Sequence, residues 1–577
     1  MKVVIIGGVA GGATAAARLR RLDEHAEIVV LERSGYVSYA NCGLPYYIGG
    51  TIRERKKLTL QTPESFRRRF NVDVRVHSEA VGILRESKQV RVRRVQDGSE
   101  YLESYDALVY SPGARAVVPP FVPAHERVFT LRTVEDTFRI DDFVREKAPR
   151  SALVIGGGFI GLEAAENLLA RGMRVTLIQL EEQVMPPFDY DMACILHSRL
   201  RAAGVDLRLA TKVTALSASE EGVAAQTEGN GSAAADIALV AVGVAPETHL
   251  AVAAGLATGI KGAVLTDEHM RTSDPSIYAV GDAVQIKNSV TRAETLTPLA
   301  GPANKQGRIA ADNICGISSV YGGAQGSSVL KLFDMTAACT GLNERAAQAA
   351  GFVWGSVLLF SPDHATYYPG ARNMTLKVVY DRLNGRILGA QGVGFGGVDK
   401  RLDVLATAVR ARMTAEELTG LDLCYAPPFS SAKDPVNMAG YVIENIRKGL
   451  VKQHTWQDME KICRAENALL LDVQTREEFA AAHFEGAVNI PVDELRGRIG
   501  ELDKGKKIYV NCYSGLRSYI ACRMLAAKGY DCSNLAGGIR FYKVVAEGGV
   551  YDSVSRHLGG DRSDLAQAGF NIKEAAI

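Results

Sequence analysis

Twice in this chain an apolar strand runs into a glycine-rich turn and then a helix, and that repeat restricts the fold to parallel α/β layers. The first copy is Val3-Val4-Ile5-Ile6, then Gly7-Gly8-Val9-Ala10-Gly11-Gly12, then an amphipathic helix predicted over 13–22. The next strand, Ile28-Val29-Val30-Leu31, ends on Glu32. Continuous apolar runs are the mark of strands buried on both faces. Glycines in the turn let the backbone approach a pyrophosphate at the helix N-terminus, and the acidic residue takes ribose hydroxyls. Val9 stands where G-x-G-x-x-G has its second glycine, so this copy is imperfect. The second copy is Leu153-Val154-Ile155, Gly156-Gly157-Gly158-Phe159-Ile160-Gly161, a helix through Leu169 and the strand Val175-Thr176-Leu177-Ile178. Here Gly156, Gly158 and Gly161 match the pattern in full.

A glycine turn without a ligand is the alternative for either loop. Two complete βαβ contexts favour two dinucleotides, and the ordinary pair is a flavin and a nicotinamide. A chain of 577 residues has room for about four domains. A net charge of +2 gives no case for nucleic acid or an anionic membrane as partner. The nine cysteines are scattered without a CxxC pair or zinc spacing, so no metal site is expected. Their odd number fits a reducing cytoplasm. Lys2 and the apolar run after it imitate a secretion signal, but four glycines between Gly7 and Gly12 interrupt the run. No apolar run is long enough to span a bilayer.

One cysteine stands alone in Ser38-Tyr39-Ala40-Asn41-Cys42-Gly43-Leu44-Pro45-Tyr46. It has no neighbour for a local disulfide, and it becomes a nucleophile only as thiolate, with its pKa lowered by a helix start, a cation or a cofactor. A buried structural cysteine is the commoner fate of such a residue. Further on, Asp106 to Ala114 (with Ser111 and Gly113) and Ala241 to Pro246 (with Gly243) are apolar strands ending in small-residue turns. Ile277-Tyr278-Ala279-Val280-Gly281-Asp282 puts a carboxylate at a strand end, where it could accept bonds from ribityl hydroxyls.

With these residues in hand, the first 445 or so positions resemble the pyridine nucleotide-disulfide oxidoreductases. Within that family Ser38 to Tyr46 resembles the S-[FY]-x-N-C-G-L-P-Y segment of the branch of coenzyme A disulfide reductases and NADH oxidases, which carries one redox cysteine. The resemblance implies an FAD domain over 1–112 and 246–322, an NAD domain over 113–245 and a dimerisation domain over 323–449. It places FAD on Gly7, Gly8, Ala10, Gly11, Gly12, Glu32, Arg33, Ser111, Gly113, Gly281 and Asp282. It places NADH on Gly156, Gly158, Ile160, Gly161, Glu181 and Gly243, with Glu163 near the flavin. The helix beginning near Pro298 is expected to aim its N-terminus at the flavin. Tyr367 and Tyr425 resemble family segments that reach the neighbouring subunit's Cys42, which implies a homodimer with shared sites. Ser38, Asn41, Asn304 and Lys433 match positions that contact the thiol carrier, and Arg18, Arg21 and Arg67 to Arg69 suit the phosphates of coenzyme A. Solvated surface arginines are the alternative. NADH is expected over NADPH, because Gln179-Leu180-Glu181-Glu182-Gln183 holds no cation for a 2′-phosphate. Gln179 occupies the usual acidic slot, so ribose recognition is weakened or passes to Glu181.

Lys452 to Asn467 reads as a partly charged helical linker. A new pattern then begins at Leu469-Leu470-Leu471-Asp472-Val473, with Arg476 to Phe479 opening a helix. The strand Ile508-Tyr509-Val510-Asn511 runs into Cys512-Tyr513-Ser514-Gly515-Leu516-Arg517-Ser518 and a helix from Tyr519 to Leu525. A cysteine between strand and helix sits in a cradle of backbone N–H groups at a helix N-terminus, which favours thiolate and an anionic persulfide. Arg517 is expected to add a cation. The loop and its flanking D-V-x-x-x-E-F and G-A-x-N-I-P runs resemble a rhodanese domain over 450–560, followed by a tail over 561–577. One departure is Phe541, where many rhodaneses carry Trp. A phosphatase loop fits less well.

The expected activity is NADH-dependent reduction of a sulfur–sulfur bond at Cys42, with Cys512 passing sulfane sulfur to coenzyme A. Coenzyme A persulfide or polysulfide is preferred over coenzyme A disulfide. The alternatives are an NADH oxidase using O₂ or peroxide, and a protein whose main activity is rhodanese sulfur transfer.

Overall fold

Val3 to Ile6 are excluded from solvent because they lie between two parallel neighbours, Glu27–Leu31 and Ala107–Tyr110. The structure, a computed structural model, describes residues 1–549 and 558–559; the expected tail over 561–577 lies outside the described residues. The described chain forms two units. One comprises Met1–Ile178 and Lys212–Gly326, the other Gln179–Thr211 and Ser327 onward.

In the first unit a parallel sheet runs Ile277–Ala279, Ala107–Tyr110, Lys2–Ile6, Glu27–Leu31, Asp73–Arg75. Strand order reverses direction at Lys2–Ile6, the place where open α/β sheets take their ligand. A second parallel set runs Val128–Phe129, Ile237–Val240, Ser151–Ile155, Arg174–Ile178. The two glycine turns are built alike. Gly7 N–H donates to the Leu31 carbonyl at 2.9 Å, and Gly156 N–H to that of Ile178 at 2.8 Å. A Cβ on Gly12 would lie 1.9 Å from the Gly7 carbonyl oxygen, and one on Gly161 1.9 Å from that of Gly156. Both helices therefore pack where only glycine fits. The first spans Ala10–Leu22, three residues earlier than the sequence predicts, because Gly11 and Gly12 are the first turn of the helix and not part of the loop.

In the second unit an antiparallel sheet runs Ser328–Leu332, Met335–Gly341, Ile387–Gly394, Asn373–Asp381, Trp354–Pro362. A parallel sheet runs Gln453–His454, Cys532–Leu535, Lys507–Asn511, Ala468–Asp472, Val488–Asn489. The helical linker expected over Lys452 to Asn467 is therefore corrected. Gln453–His454 is an edge strand, and the helix Met459–Cys463 puts Met459 and Ile462 into a cluster with Phe484 and Tyr542. Its charged positions are spaced so that two apolar side chains still face inward, and burial decides the outcome.

The segment Gln179–Thr211 also belongs to this unit. Its helix Tyr190–Ala202 buries Cys194 and His197 completely. Nδ1 of His197 lies 2.8 Å from the Gly548 carbonyl, and a Cβ on Gly548 would lie 2.4 Å from the carbonyl of Cys194. Lys377 is buried among Asp189, Asp191 and Glu344 at 3.2, 2.9 and 2.9 Å. Asp191 also accepts from the Trp456 indole at 3.3 Å. One charged cluster thus fastens three stretches of chain, and burying an ammonium requires such pairing.

Candidate active site

Cys42 lies in the 3-10 turn Asn41–Gly43, which leads into the helix Leu44–Ile48 with a proline in its first turn. Ser38, with φ of 48°, donates its N–H to the Gly8 carbonyl at 2.8 Å and so ties the segment to the first glycine turn. Arg132, which no sequence pattern singles out, organises what surrounds it. Its backbone carbonyl accepts from the Asn41 amide at 3.0 Å, and its Nη1 donates back at 3.1 Å. Its Nη2 binds Asp282 Oδ2 at 2.6 Å, and its Nε the Ala114 carbonyl at 3.1 Å. Arg132 lies outside every motif, so only the folded chain reveals it.

Cys42 is exposed. Among the described residues no hydrogen bond reaches its sulfur. Partial burial, then Glu163 and more weakly Asp282, push its thiol up, and Arg132 opposes them. The lowered pKa expected for this thiol is thus not supplied by the polypeptide. Glu163 accepts from the Tyr46 hydroxyl at 3.3 Å. Burial and the nearby Glu166 raise Glu163 to about 7, against the Tyr46 bond.

The first loop has the features an FAD adenylate and pyrophosphate need. The helix Ala10–Leu22 carries no acidic residue in its first turn. Glu32 is buried and fixed, accepting from Gly8 N–H and Ser34 N–H at 3.0 Å each. A Cβ on Gly11 would meet Ser111 Oγ at 2.8 Å and Val280 at 2.9 Å, so this loop, Ser111 and the Gly281–Asp282 turn converge. Gly281 has φ of 82° and donates to Gln306 Oε1 at 2.7 Å, Gln306 coming from the helix Ala300–Ile314. Gly113, at φ 79°, continues this turn region. In the second loop a Cβ on Gly158 would meet no atom within 4 Å, so the space a dinucleotide phosphate needs is open. The helix that follows, Phe159–Ala170, starts with Ile160 and has no acidic residue in its first turn. Gly243 takes φ of 121° beyond the strand Ile237–Val240.

Other candidates are dispersed. Arg33 and Arg21 are exposed. Arg18 is paired with Asp312 at 2.7 Å, so its charge is largely offset. Asn304 accepts from Thr14 at 2.9 Å. In the second unit Glu181 and Lys433 are exposed. Tyr367 and Tyr425 are 74 % and 47 % exposed, and their hydroxyls lie 2.7 Å apart. Such aromatic exposure suits an interface.

Cys512 is the opposite of Cys42. It is fully buried, receives the Gly515 N–H at 3.1 Å and has the Ser518 hydroxyl 3.3 Å from its sulfur. Gly515, with φ of 98°, caps the helix Leu516–Ala527, whose N-terminus points at the cradle. Arg517 lies beside this cradle, its guanidinium pKa raised by Glu478 first and by Cys512 as well. Glu478 holds its guanidinium through both oxygens, at 2.7 and 2.8 Å. A backbone N–H, a hydroxyl and the Arg517 charge thus all reach the sulfur, with Glu478 sharing that charge. The expected departure at Phe541 is a fully buried core position.

Two glycine turns at the C-terminal ends of central parallel strands and a lone cysteine in a segment that bonds to Glu163 through Tyr46 define a flavoprotein reductase of the two-dinucleotide class. The chain belongs to the pyridine nucleotide-disulphide oxidoreductase family, whose model matches residues 1–306. The dimerisation domain of the same family matches 327–435, and a rhodanese-like domain 455–543. Coenzyme A disulfide reductase of Staphylococcus haemolyticus is 36 % identical over 445 residues, 76 % of this chain and 98 % of that protein. Reduced CoADR-RHD of Bacillus anthracis is similar at TM-score 0.92 and 47 % identity, covering 95 % of this chain and 99 % of that one. The NAD-dependent persulfide reductase from A. fulgidus is similar at TM-score 0.88 and 40 % identity, covering 94 % and 100 %. The chain is an NADH-dependent flavoprotein that reduces sulfur–sulfur bonds, with two Rossmann-like domains, an α+β dimerisation domain and a C-terminal rhodanese domain.

Proposed function

We propose that the physiological substrate is coenzyme A persulfide or a polysulfide delivered as such, with coenzyme A disulfide a secondary substrate, and that Cys42 is the reacting thiol. The observation that carries this reading is the pairing in one chain of an exposed lone cysteine in the flavin-side segment with a buried, cradled cysteine in the rhodanese domain. Cys512 as thiolate takes the outer sulfur of a donor persulfide and releases the donor thiol. Coenzyme A thiolate then takes that sulfur and becomes the persulfide. Cys42 attacks the inner sulfur, which forms a mixed disulfide with coenzyme A and expels hydrosulfide. Two electrons and one proton reopen the mixed disulfide to coenzyme A thiol and Cys42 thiolate. FAD supplies, when bound, the two-electron relay from NADH to sulfur.

The chain's residues prepare these steps. Asn41 and Arg132 hold the turn that carries Cys42, and the Arg132–Asp282 pair fixes the strand end beside it. Gly7, Gly8, Ala10, Gly11, Gly12, Glu32, Arg33, Ser111, Gly113, Gly281 and Asp282 would hold FAD. Gly156, Gly158, Ile160, Gly161, Glu181 and Gly243 would hold NADH, and Glu163 would stand near the flavin. Ser38, Asn304, Lys433, Arg18 and Arg21 would contact the thiol carrier. The protein acts as a homodimer in which Tyr367 and Tyr425 complete the neighbour's Cys42 site, and the division into FAD, NAD, dimerisation and rhodanese domains follows the boundaries given above. Among the described residues no helix is long and apolar enough to cross a membrane, and we place the protein in the cytoplasm.

Steady-state NADH oxidation without oxygen, across coenzyme A persulfide, polysulfide and coenzyme A disulfide, tests this reading. The persulfide is expected to give the highest kcat/KM. NADH consumption that requires O₂, or the disulfide as the best substrate, would overturn it.

A further inference from the structure

Between the paired strands Trp354–Pro362 and Asn373–Asp381 runs the loop 363–372, which carries Tyr367. The loop is closed at its base. The Asp363 N–H donates to the Arg372 carbonyl, and the Arg372 N–H to Asp363 Oδ1, each at 2.9 Å. Arg401, fully buried on the helix Val398–Ala411, holds the same corner, its Nη2 donating to the Asp363 carbonyl at 3.0 Å. Tyr367 has no such support of its own. Its side chain is 74 % exposed, and its hydroxyl lies 2.7 Å from that of Tyr425. Its place therefore depends on what fixes the loop backbone on either side of it.

His364 does this. Its Nδ1 lies 2.8 Å from Asp363 Oδ1, its Nε2 a longer 3.4 Å from the Pro369 carbonyl oxygen, and its ring meets Tyr368 edge-on at 5.8 Å. The imidazole thus spans the loop, with Tyr367 between the two bonded positions. A carboxylate and a peptide carbonyl both only accept. A neutral imidazole has one N–H and serves one of them, whereas an imidazolium serves both. The charged and titratable groups around the ring are few. Asp363 is on the same loop, and Arg372 at its end pairs with Asp334 at 3.5 Å. Arg401 is bound to Asp434 at 3.1 Å. Lys400, Cys424 and Tyr425 line one cavity with His364, and Lys400 Nζ lies 3.5 Å from the Cys424 carbonyl.

Resting on the reading that Tyr367 and Tyr425 complete the neighbour's Cys42 site, we propose that His364 is a positioning residue for the sulfur reaction. Bonded at both nitrogens, its imidazolium clamps the loop 363–372 and keeps the Tyr367 hydroxyl on that of Tyr425. The proton facing Pro369 is the one that leaves, because the bond to the Asp363 carboxylate is shorter and charge-assisted. The far side of the loop is then released, and the two hydroxyls are no longer presented together. His364 touches neither substrate nor sulfur in this account and acts only through Tyr367.

The test is anaerobic stopped-flow of the FAD-loaded protein, which separates flavin reduction by NADH from reoxidation of the reduced enzyme by coenzyme A disulfide. His364→Asn puts an amide where Nδ1 stood and removes the bond to Pro369. It is expected to slow the sulfur step about fivefold, the size of one hydrogen bond, and to leave flavin reduction unchanged. Tyr367→Phe is expected to slow the sulfur step by about tenfold. In the Tyr367→Phe background His364→Asn is expected to add nothing, since the two act as a unit. The ratio of parent to His364→Asn rates is expected to fall toward one as the pH rises from about 5 to 8, the range in which histidines lose their charge. Taking the ratio cancels the titration of the reacting thiol. Equal slowing by His364→Asn in both backgrounds, or a ratio independent of pH, overturns the proposal. Flavin absorbance reports whether His364→Asn retains FAD; if it does not, His364→Gln, which keeps the other anchor, decides by the same two criteria. An unaltered sulfur step in Tyr367→Phe overturns the reading of the tyrosines and the clamp with it. An unaltered His364→Asn beside a slowed Tyr367→Phe overturns the clamp alone.

Discussion

Cys42 and Cys512 are both cysteines at the start of a helical segment, yet the chain treats them in opposite ways. Around Cys512 the backbone does the work. The fully buried sulfur sits at the N-terminus of a helix of twelve residues, with Gly515 N–H and the Ser518 hydroxyl directed at it. Around Cys42 the helical segment is a 3-10 turn and one short helix, the sulfur is exposed, and its strongest ionic neighbour, Glu163, opposes ionisation. A thiol that must hold a persulfide needs fixed donors at the sulfur. A thiol that must attack a sulfur–sulfur bond and be released again from a mixed disulfide has to leave that space to the ligand. The difference teaches that a cysteine's helix-start position does not by itself fix its reactivity; what counts is which N–H groups reach the sulfur and which charges are left uncancelled.

The sharpest way to separate the two sites is to remove each sulfur in turn. Cys42→Ser is expected to lower NADH-linked sulfur reduction by about three orders of magnitude or more while thiosulfate sulfur transfer persists. Cys512→Ser should do the reverse, and should spare reduction of preformed coenzyme A persulfide. Equal loss of both activities in either variant would mean that the sites do not divide the labour as described.

Next in size is the backbone of the Cys512 cradle. Gly538, at φ 60°, lies where a Cβ would come within 2.4 Å of the Cys512 carbonyl and 2.7 Å of that of Tyr513. Gly538→Ala should cost roughly 2–3 kcal/mol in the rhodanese domain through strain and overpacking, read as a lower urea midpoint with sulfur transfer lost before flavin is released. An unchanged midpoint would show that the cradle does not depend on this contact. Ser518→Ala takes away a single donor from the sulfur. It should slow thiosulfate sulfur transfer by about tenfold, the size of one hydrogen bond to a charged group, and an unchanged rate would show that the hydroxyl does not serve the sulfur.

A further expected effect, away from both sulfurs, concerns acid stability. His197 is buried and neutral, with Nε2 accepting the Val184 N–H at 3.1 Å, and burial holds its pKa down to about 3. His454 is held down in the same way, to about 4. An unfolded histidine binds its proton near pH 6.5. Stability from both groups is therefore fully present above about pH 6.5 and is lost as the pH falls toward these lower values. His197→Gln removes one such proton from the linkage. Unfolding free energy measured from pH 7 to 4.5 should fall less steeply in the variant, and identical slopes would contradict the assignment.

The parallel sheet, both glycine turns and the cradle of Cys512 were legible in the sequence because each is a local pattern. An apolar run, glycines at fixed offsets and a strand–cysteine–helix order all fix backbone geometry within a few residues, and steric exclusion at Gly12 and Gly161 makes that geometry obligatory. The edge strand Gln453–His454 was misread as part of a linker because a two-residue strand has no period of its own; its partner Cys532–Leu535 lies about eighty positions away. What no local pattern carries is the pairing of distant charges. Arg132 with Asp282, Arg517 with Glu478, and Lys377 among Asp189, Asp191 and Glu344 join residues 33 to 188 positions apart. The sequence determined which side chains could ionise and where the turns lie. Only the tertiary structure decided which charges are cancelled, and therefore that Cys42 is left facing Glu163, because an electrostatic interaction depends on distance through the folded molecule and not on separation along the chain.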